Sequence, residues 1–574
     1  MNCIHKFLAL KPIIKYSIII GSSLVLITLI VILIIAFSGE KGKNKGAYLK
    51  TPDASILEYR LGNGIGGFES SWSIDNVRNL MVYTGYDGMR KKLPEAHLSN
   101  WGYGIELDVC KINQKHGILD VIGYLCTPSK SHSSNTSDNN ELCYPDHLYE
   151  PIWLESGEVN PNNYWAYYVN KTVTTYKDYI KIWETWNEPD YTRTADTGEW
   201  ENSPPNPKDL TSWHGTIFQY IRLLRITYEV AKKVDPECWV ATGGLGYPYF
   251  LDAIMRYTDN PENGEVTKDY PAYGGAYFDC DAYHKYPQWG SYDMQTGESI
   301  DDNGSDSHAK KVVTLKKNHH YIIKKYGFGD KYPDKLFVNT ETGLRSAEME
   351  NHLGGDLVRR NWIIKLALLC IEYDVRQLHI LNLEDSNGGY GDYDNIGKFV
   401  SLEEGYAHLK SSSKGRATLK KMNLGKYIFD EKKTTKFRES LPANVTGIVL
   451  KRKFPKVENE EFYYEYMYSV WLLCIKEEAK GEMEIELDIP FDPLKVDWEG
   501  NKEELESDSK FKITSTPIFL LGNEGISGLV IFFIILGSLI VLLLLCIIIL
   551  YCYKKFIKKQ DIPFDKNLMR SLLK

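Results

Sequence analysis

The 574-residue sequence predicts an α/β chain: a (β/α)8 barrel of the TIM type, then a small antiparallel β-sandwich, with a transmembrane helix near each end. Three observations carry this reading. Between residues 56 and 383, short apolar strands alternate with longer amphipathic helices, the pattern of βα units and a parallel sheet. The strands number about eight, which closes a barrel of typical size. Beyond residue 430 the pattern changes to alternating apolar and polar residues with few helical signals. Finally, residues 16–37 and 526–553 are almost wholly Ile, Leu and Val, and each exceeds or matches the roughly 20 residues needed to cross a bilayer core. An open doubly wound sheet is the alternative fold, but no Gly-rich phosphate loop follows the first strand.

Taken in order, residues 56–68 read as strand and turn, broken by Gly62, Gly64, Gly66 and Gly67. A helix over 74–83 leads to a strand over 88–94, a helix over 104–116 and a strand over 118–126. Residues 129–140 are polar and read as a surface insertion. An aromatic amphipathic helix, 163–179, runs into the fourth strand, which ends Ile182-Trp183-Glu184-Thr185-Trp186-Asn187-Glu188-Pro189-Asp190. The remaining units are helix 213–234, stopped by Asp235-Pro236, strand 238–246, helix 249–257, strand 277–286, helix 309–326, strand 336–340, helix 356–373 and strand 375–383. Segments 437–451, 461–478, 482–490 and 511–521 then supply the strands of the sandwich.

The ends bear on location. Lys554, Lys555, Lys558 and Lys559 follow the second apolar run and place the C-terminal tail in the cytoplasm. Lysines flank the first run on both sides, which fits a signal anchor or a cleaved signal peptide; its length favours the anchor. Either way residues 46–525 face the lumen or the exterior. Sequons at Asn135, Asn170, Asn303 and Asn444 agree with a glycoprotein on that side. The net charge of -8, with no basic stripe outside the membrane flanks, argues against nucleic acid as a partner. Cys126 and Cys143 flank the polar insertion and make the best disulfide pair. No CxxC or CxxH spacing occurs, so neither a metal nor a cofactor is expected. The acidic loop 301–306 reads as solvated. An excess of Tyr and Trp, 40 and 13 residues, suits a surface that stacks on sugars, although core packing accounts for most of them.

Two apolar strands each deliver a carboxylate to their C-terminal ends: Glu188 on the fourth, and Glu341 on the seventh, after Leu336-Phe337-Val338-Asn339-Thr340. Barrel active sites lie at that face. Two carboxyls facing one another there suit glycosidic hydrolysis, in which one is kept protonated as the acid and the other ionised.

Trp186-Asn187-Glu188-Pro189 resembles the signature of clan A glycoside hydrolases, and the longer string from Trp183 to Asp190 is similar to glycoside hydrolase family 39, which includes β-xylosidases and α-L-iduronidases. The resemblance spans residues 55–425 as architecture and extends to 520 through the β domain. It implies that Glu188 is the acid/base, that Asn187 bonds the sugar 2-hydroxyl, and that Glu341 is the nucleophile of a retaining mechanism, with carboxyls about 5–5.5 Å apart. In Asp281-Ala282-Tyr283-His284-Lys285-Tyr286, it makes His284 and Tyr286 substrate-site residues near the nucleophile. Arg90 would hold Glu341 ionised, or else lie on the barrel floor. Trp186 is either a sugar platform or core, and Glu184 a buried partner of a neighbouring strand. The sequence departs from the clan at the end of the eighth strand, Leu381-Asn382-Leu383-Glu384-Asp385, where no platform Trp occurs.

These readings divide the chain into a cytoplasmic tail and signal anchor (1–45, spanning 16–37), a catalytic barrel (46–428), a β-sandwich (429–522), a transmembrane helix (526–553) and a cytoplasmic tail (554–574). The expected function is retaining hydrolysis of O-glycosidic bonds in extracellular or lumenal glycans. The expected location is a plasma-membrane or secretory/lysosomal membrane, and the expected partner an oligosaccharide or glycoconjugate. A transglycosylase would use the same carboxylates, and a catalytically idle carbohydrate-binding surface protein is the alternative from another class.

Overall fold

The computed structural model describes residues 60–63, 73–134, 144–193, 197–346, 355–381, 383, 401–456, 460–479, 481–524 and 545. Eight parallel strands close into a barrel in sequence order: β1 Arg60–Asn63, β2 Gly88–Pro94, β3 Asp120–Cys126, β4 Ile180–Thr185, β5 Trp239–Ala241, β6 Cys280–His284, β7 Leu336–Thr342 and β8 Val375–Ile380. The ring shuts where β8 pairs with β1, Arg60 opposite Gln377 and Asn63 opposite Ile380. Helices α1 Ile74–Tyr83, α2 Leu107–Lys115, α3 Tyr164–Tyr176, α4 Ile217–Val234, α5 Pro248–Arg256, α6 Ser305–Lys325 and α7 Asp356–Glu372 alternate with the strands, and α8 Ser411–Lys421 follows β8.

Local chemistry trims these elements relative to the sequence reading. Helix α4 begins at Ile217 rather than 213 because Thr216 and Gln219 form a reciprocal capping box, satisfying two backbone donors. Strand β5 is short because Gly243 and Gly244 turn the chain immediately after it, Gly244 at φ +68°. Inward-facing residues of β3 to β7, namely Ile122, Ile182, Trp239, Ala241, Cys280, Ala282, Leu336 and Val338, pack into one apolar cluster. These alternate positions fill the barrel, so polar groups can converge only above them, at the C-terminal mouth.

One irregularity decides what reaches that mouth. Along β6, Tyr283 pairs with Asn339 but the next residue, His284, pairs with Glu341. Along β8, Leu378 pairs with Asn339 and Ile380 with Thr342. Both neighbours thus register one extra residue in β7 at Thr340–Glu341, a bulge. In a regular strand successive side chains point to opposite faces. The bulge re-aims one of them, so Thr340 and Glu341 both serve the site.

Beyond the barrel, β9 Tyr427–Phe429, β10 Val445–Arg452, β11 Tyr466–Leu472, β13 Leu494–Val496, β14 Lys502–Glu504 and β16 Ile518–Gly522 form a six-stranded sheet ordered β9-β10-β11-β16-β13-β14. Strands β12 Met483–Glu486 and β15 Lys510–Ile513 make a second, two-stranded sheet. Residues of both sheets, including Val449, Val470, Ile485, Ile513 and Leu520, share one core, the arrangement of packed antiparallel sheets. Two expectations are corrected. Residues 437–444 are not strand: Asp430 caps a helix, Glu431–Ser440, whose Phe437 is its apolar anchor in the sheet core. The run 511–521 is two strands in different sheets, broken at Ser515-Thr516-Pro517. The Thr516 hydroxyl there donates to Asn361 Oδ1 of α7 at 2.7 Å.

The acidic loop is not simply solvated. Asp306 pairs with the buried Lys365 at 2.7 Å and accepts the Trp471 indole N–H at 2.8 Å and the Cys474 backbone N–H at 2.7 Å. This polar junction fastens the barrel helices to the six-stranded sheet. Among the described residues no helix is long and apolar enough to cross a membrane. Residues 16–37, residues 526–553 apart from Leu545, the Asn135 sequon and the Cys143 half of the expected disulfide lie outside the described residues.

Candidate active site

The mouth is organised by Arg90, an inward residue of β2 that is 1% exposed. Its guanidinium binds Glu184 twice, through Nε at 2.6 Å and Nη2 at 3.1 Å. It also donates to Glu341 Oε2 at 3.2 Å and to Asn187 Oδ1 at 2.7 Å. Its face lies over the Tyr124 ring, 4.1 Å from the centroid. Burial opposes a charge here, but Glu184 and Glu341 outweigh it and hold Arg90 protonated well above its ordinary range. Only the planar fork of Arg reaches three side chains from one point. Glu184, 0% exposed, is buried as expected, but its partner Arg90 is on β2, with β3 between them, and not on a neighbouring strand.

After β4 the chain makes a strained turn. Trp186 (φ 75°) and Glu188 (φ 47°) both adopt left-handed backbone, at a cost of about 1–3 kcal/mol each. Their own N–H groups hold the turn: Trp186 donates to Leu125 O at 2.9 Å and Glu188 to Gly243 O at 2.6 Å. The turn sends the Trp186 indole away from the mouth. It is 2% exposed, packs edge-on against Trp213 with centroids 5.1 Å apart, and donates to Ser212 O at 2.8 Å. Trp186 is thus core, not a sugar platform. Glu188 instead turns inward, with its side chain 28% exposed.

Strand β6 supplies the link between the carboxylates. His284 Nδ1 lies 2.8 Å from Glu188 Oε1, and its Nε2 lies 2.9 Å from Thr340 Oγ1. The Thr340 hydroxyl donates to Glu184 Oε1 at 3.0 Å, so it must accept from His284. That assigns a proton to Nε2 and leaves a single proton to be shared between Nδ1 and Glu188. Burial raises the Glu188 carboxyl, but the His284 hydrogen bond and charge bring it net below its ordinary value. Burial lowers His284, and Glu341 together with Glu188 more than reverse this. Both directions favour an ionised Glu188 beside a protonated His284. Tyr286 completes the group by donating its hydroxyl to Glu341 Oε1.

Oxygen or nitrogen atoms of Glu188, His284 and Glu341 all lie within 4.8 Å of one another. Three such donors match a cation site in number. However, Glu341 already faces a guanidinium on one oxygen and a phenol donor on the other, and His284 uses both nitrogens. Each of these donors is thus already engaged by a neighbouring side chain.

Of the residues expected at the site, Glu188, Glu341, Asn187, His284, Tyr286 and Arg90 converge, and Trp186 does not. Thr340, Asp190, Gly243 and Gly244 were not anticipated. Asp190, 1% exposed, accepts the Gly246 and Tyr247 backbone N–H groups on one oxygen, both at 2.7 Å, and burial pushes its carboxyl up to about 7. It thereby ties the loop after β5 to the Glu188 turn. A Cβ on Gly243 would sit 2.5 Å from Thr185 O, and one on Gly244 would strike the His284 ring. The adjacent glycines after a short strand were the available signal for this close approach.

No protein-family model matches the sequence, and no curated protein does either. Among solved structures the fold resembles that of a family 39 glycoside hydrolase from the gut symbiont Bacteroides cellulosilyticus WH2, with a TM-score of 0.51 and 18% identity over 81% of each chain. A glycoside hydrolase family 30 subfamily 8 xylanase from Clostridium acetobutylicum aligns over 81% of this chain and 97% of its own at 11% identity, with a TM-score of 0.43. A family 30 xylanase C catalytic domain from Talaromyces cellulolyticus covers 83% and 98% at 12% identity, with a TM-score of 0.46. The resemblance to clan A carried by the Glu188 motif is thus accompanied by a likeness of fold to a family 39 structure.

Proposed function

We propose that this barrel is a glycosidase that cleaves O-glycosidic bonds with retention of anomeric configuration. Its affinity, within that class, is to family 39. The observation that carries the reading is the pair Glu188, in the turn after the fourth strand, and Glu341, on the seventh, with one carboxylate oxygen of each within 4.8 Å of the other. Double displacement requires carboxyls about 5–5.5 Å apart, whereas inversion needs about 6.5–9.5 Å to admit a water between them.

In this mechanism Glu341 is the nucleophile, oriented by the Arg90 guanidinium on one oxygen and the Tyr286 hydroxyl on the other. As its oxygen attacks the anomeric carbon, the bond to the leaving oxygen breaks. Glu188 protonates that oxygen, drawing its proton from His284 Nδ1. Water then attacks the glycosyl–Glu341 ester, giving its proton back to Glu188. Asn187, whose Oδ1 is taken by Arg90, presents its N–H groups as donors to the sugar 2-hydroxyl. A complete acid, relay and nucleophile supports an enzyme over an idle binder. The apolar runs 16–37 and 526–553 support a membrane-anchored chain whose barrel faces exterior or lumenal glycans.

A panel of p-nitrophenyl glycosides, with NMR of the first-formed anomer, tests this. Retention is expected, with loss of turnover in Glu188→Gln on substrates needing acid assistance and in Glu341→Ala on all. An inverted product, or full activity in Glu341→Ala, would overturn the assignments.

A further inference from the structure

Glu188 by itself would draw His284 into a state that cannot supply an acid. Its Oε1 lies 2.8 Å from His284 Nδ1. A neutral imidazole beside an ionised carboxylate places its one proton on the facing nitrogen, since the other tautomer sets a lone pair against a negative charge. Glu188 then accepts a hydrogen bond and has no proton to give the leaving oxygen. The side chain that opposes this state lies at the other edge of the ring.

Thr340 Oγ1 stands 2.9 Å from His284 Nε2 and 3.0 Å from Glu184 Oε1, a reach that the bulge in β7 gives it. A hydroxyl has one proton to donate. Glu184, buried and ionised against the Arg90 guanidinium at 2.6 Å, can only accept, so it takes that proton. The lone pair left on Oγ1 faces Nε2 and calls for an N–H there. Turning the ring over gives no escape, because Cδ2 and Cε1 would then face Glu188 and Thr340 and both bonds would be lost.

We infer that Thr340 is a positioning residue that locks one proton on His284 Nε2 and thereby retains the second proton, the one Glu188 delivers, to higher pH. With Nε2–H fixed, losing the second proton leaves the Nδ1 lone pair and a carboxylate facing each other at 2.8 Å with no hydrogen between them. That state is costly, so the proton is held. The charges around the ring are Glu188 in the turn after β4, Glu184 on β4 at 4.0 Å from Nε2, Glu341 on β7 and Arg90 on β2. The β5 loop presents the uncharged Gly244. The carboxylates favour a doubly protonated ring and Arg90 opposes it, whereas Thr340 decides which nitrogen keeps the last proton. The inference rests on the hydrolase reading of Glu188 and Glu341 and sets the alkaline limit of that activity.

The test uses the full chain purified in detergent. A p-nitrophenyl glycoside panel identifies the sugar, and its methyl glycoside, whose leaving oxygen needs acid assistance, is then the substrate. Thr340→Val keeps the branched shape without the hydroxyl. The alkaline limb of its kcat/KM profile should move down by about one pH unit, the worth of a hydrogen bond to a charged group. Thr340→Ser should restore the parent limb. Thr340→Cys, whose sulfur is a weak acceptor, should shift it as Val does, and it replaces Thr340→Val if that chain does not fold. Activity lowered at every pH with the limb unmoved, or an equal shift in Thr340→Ser, overturns the inference. If the parent chain turns over no glycoside, the hydrolase reading fails, and melting temperature against pH decides the lock separately. The fall that accompanies loss of the His284 proton should begin about one pH unit lower in Thr340→Val than in the parent. The same onset in both overturns the lock.

Discussion

Gly244→Ala is the sharpest test of how the site is built. At φ +68° an alanine is strained, and its Cβ would lie 2.6 Å from His284 Cε1 and 2.8 Å from Cδ2, far inside van der Waals contact. The imidazole has little room to yield. It is 4% exposed and pinned at both nitrogens, by Glu188 at 2.8 Å and Thr340 at 2.9 Å. Left-handed strain costs about 1 kcal/mol, overpacking about 1–3, and a broken buried hydrogen bond about 1 more. The expected destabilisation is therefore about 3–5 kcal/mol. In the proposed mechanism, displacing His284 also separates Glu188 from its proton source, and misplacement by about 1 Å costs about 100-fold in rate. Gly246→Ala is the matched control, since the nearest atom to its Cβ would be 3.9 Å away. Both variants would be followed by urea unfolding and aryl-glycoside turnover. If Gly244→Ala melts and turns over like Gly246→Ala, the packing account of His284 is wrong.

Other consequences are equally specific. Glu184→Ala strips Arg90 of its bidentate partner inside the barrel and should cost about 3–5 kcal/mol in chemical unfolding; a loss under about 1 would mean the pair is dispensable. The Glu188–His284 pair sets a pH window. Glu188 is held below its ordinary 4.5, so its contribution is present above that pH and lost as pH falls. His284 is raised above 6.5, so its contribution is present below that pH and lost as pH rises. Stabilisation is thus fullest between 4.5 and 6.5, and melting temperatures of His284→Gln across pH should lose that hump. Asp190 has the opposite sign from Glu188. Raised from 3.8 to about 7, it keeps in the fold a proton that the unfolded chain releases, so stability declines as pH climbs between those values. Asp190→Asn, whose amide oxygen can still accept both N–H groups, should abolish that decline in calorimetric scans. A profile matching the parent would refute the buried-acid account.

Much of the barrel was legible because βα units announce themselves locally. Ile74–Tyr83 and Gly88–Pro94 were read with the bounds they have, and capping and breaking residues erred elsewhere by a few positions. Reading was weaker past residue 430, where the helix Glu431–Ser440 carries one buried aromatic among charged residues and two strands have only three residues. Such elements exist through packing on a neighbouring sheet, which a local pattern does not encode.

At the site the division is the same. The sequence by itself determined that Glu188 and Glu341 end the fourth and seventh strands, because strand counting and apolar runs fix which residues arrive at the mouth. It did not determine where their neighbours point. Trp186 turns into the core because two left-handed residues bend the chain, and Thr340 joins Glu341 because a bulge breaks the alternation of β7. The Arg90 fork across β2, β4 and β7 and the one-proton link through His284 depend on residues 94 to 251 positions apart. Backbone periodicity is a local property and is written in the chain. Which buried charges meet, and therefore where the proton rests, is settled only when the barrel closes and removes water from between them.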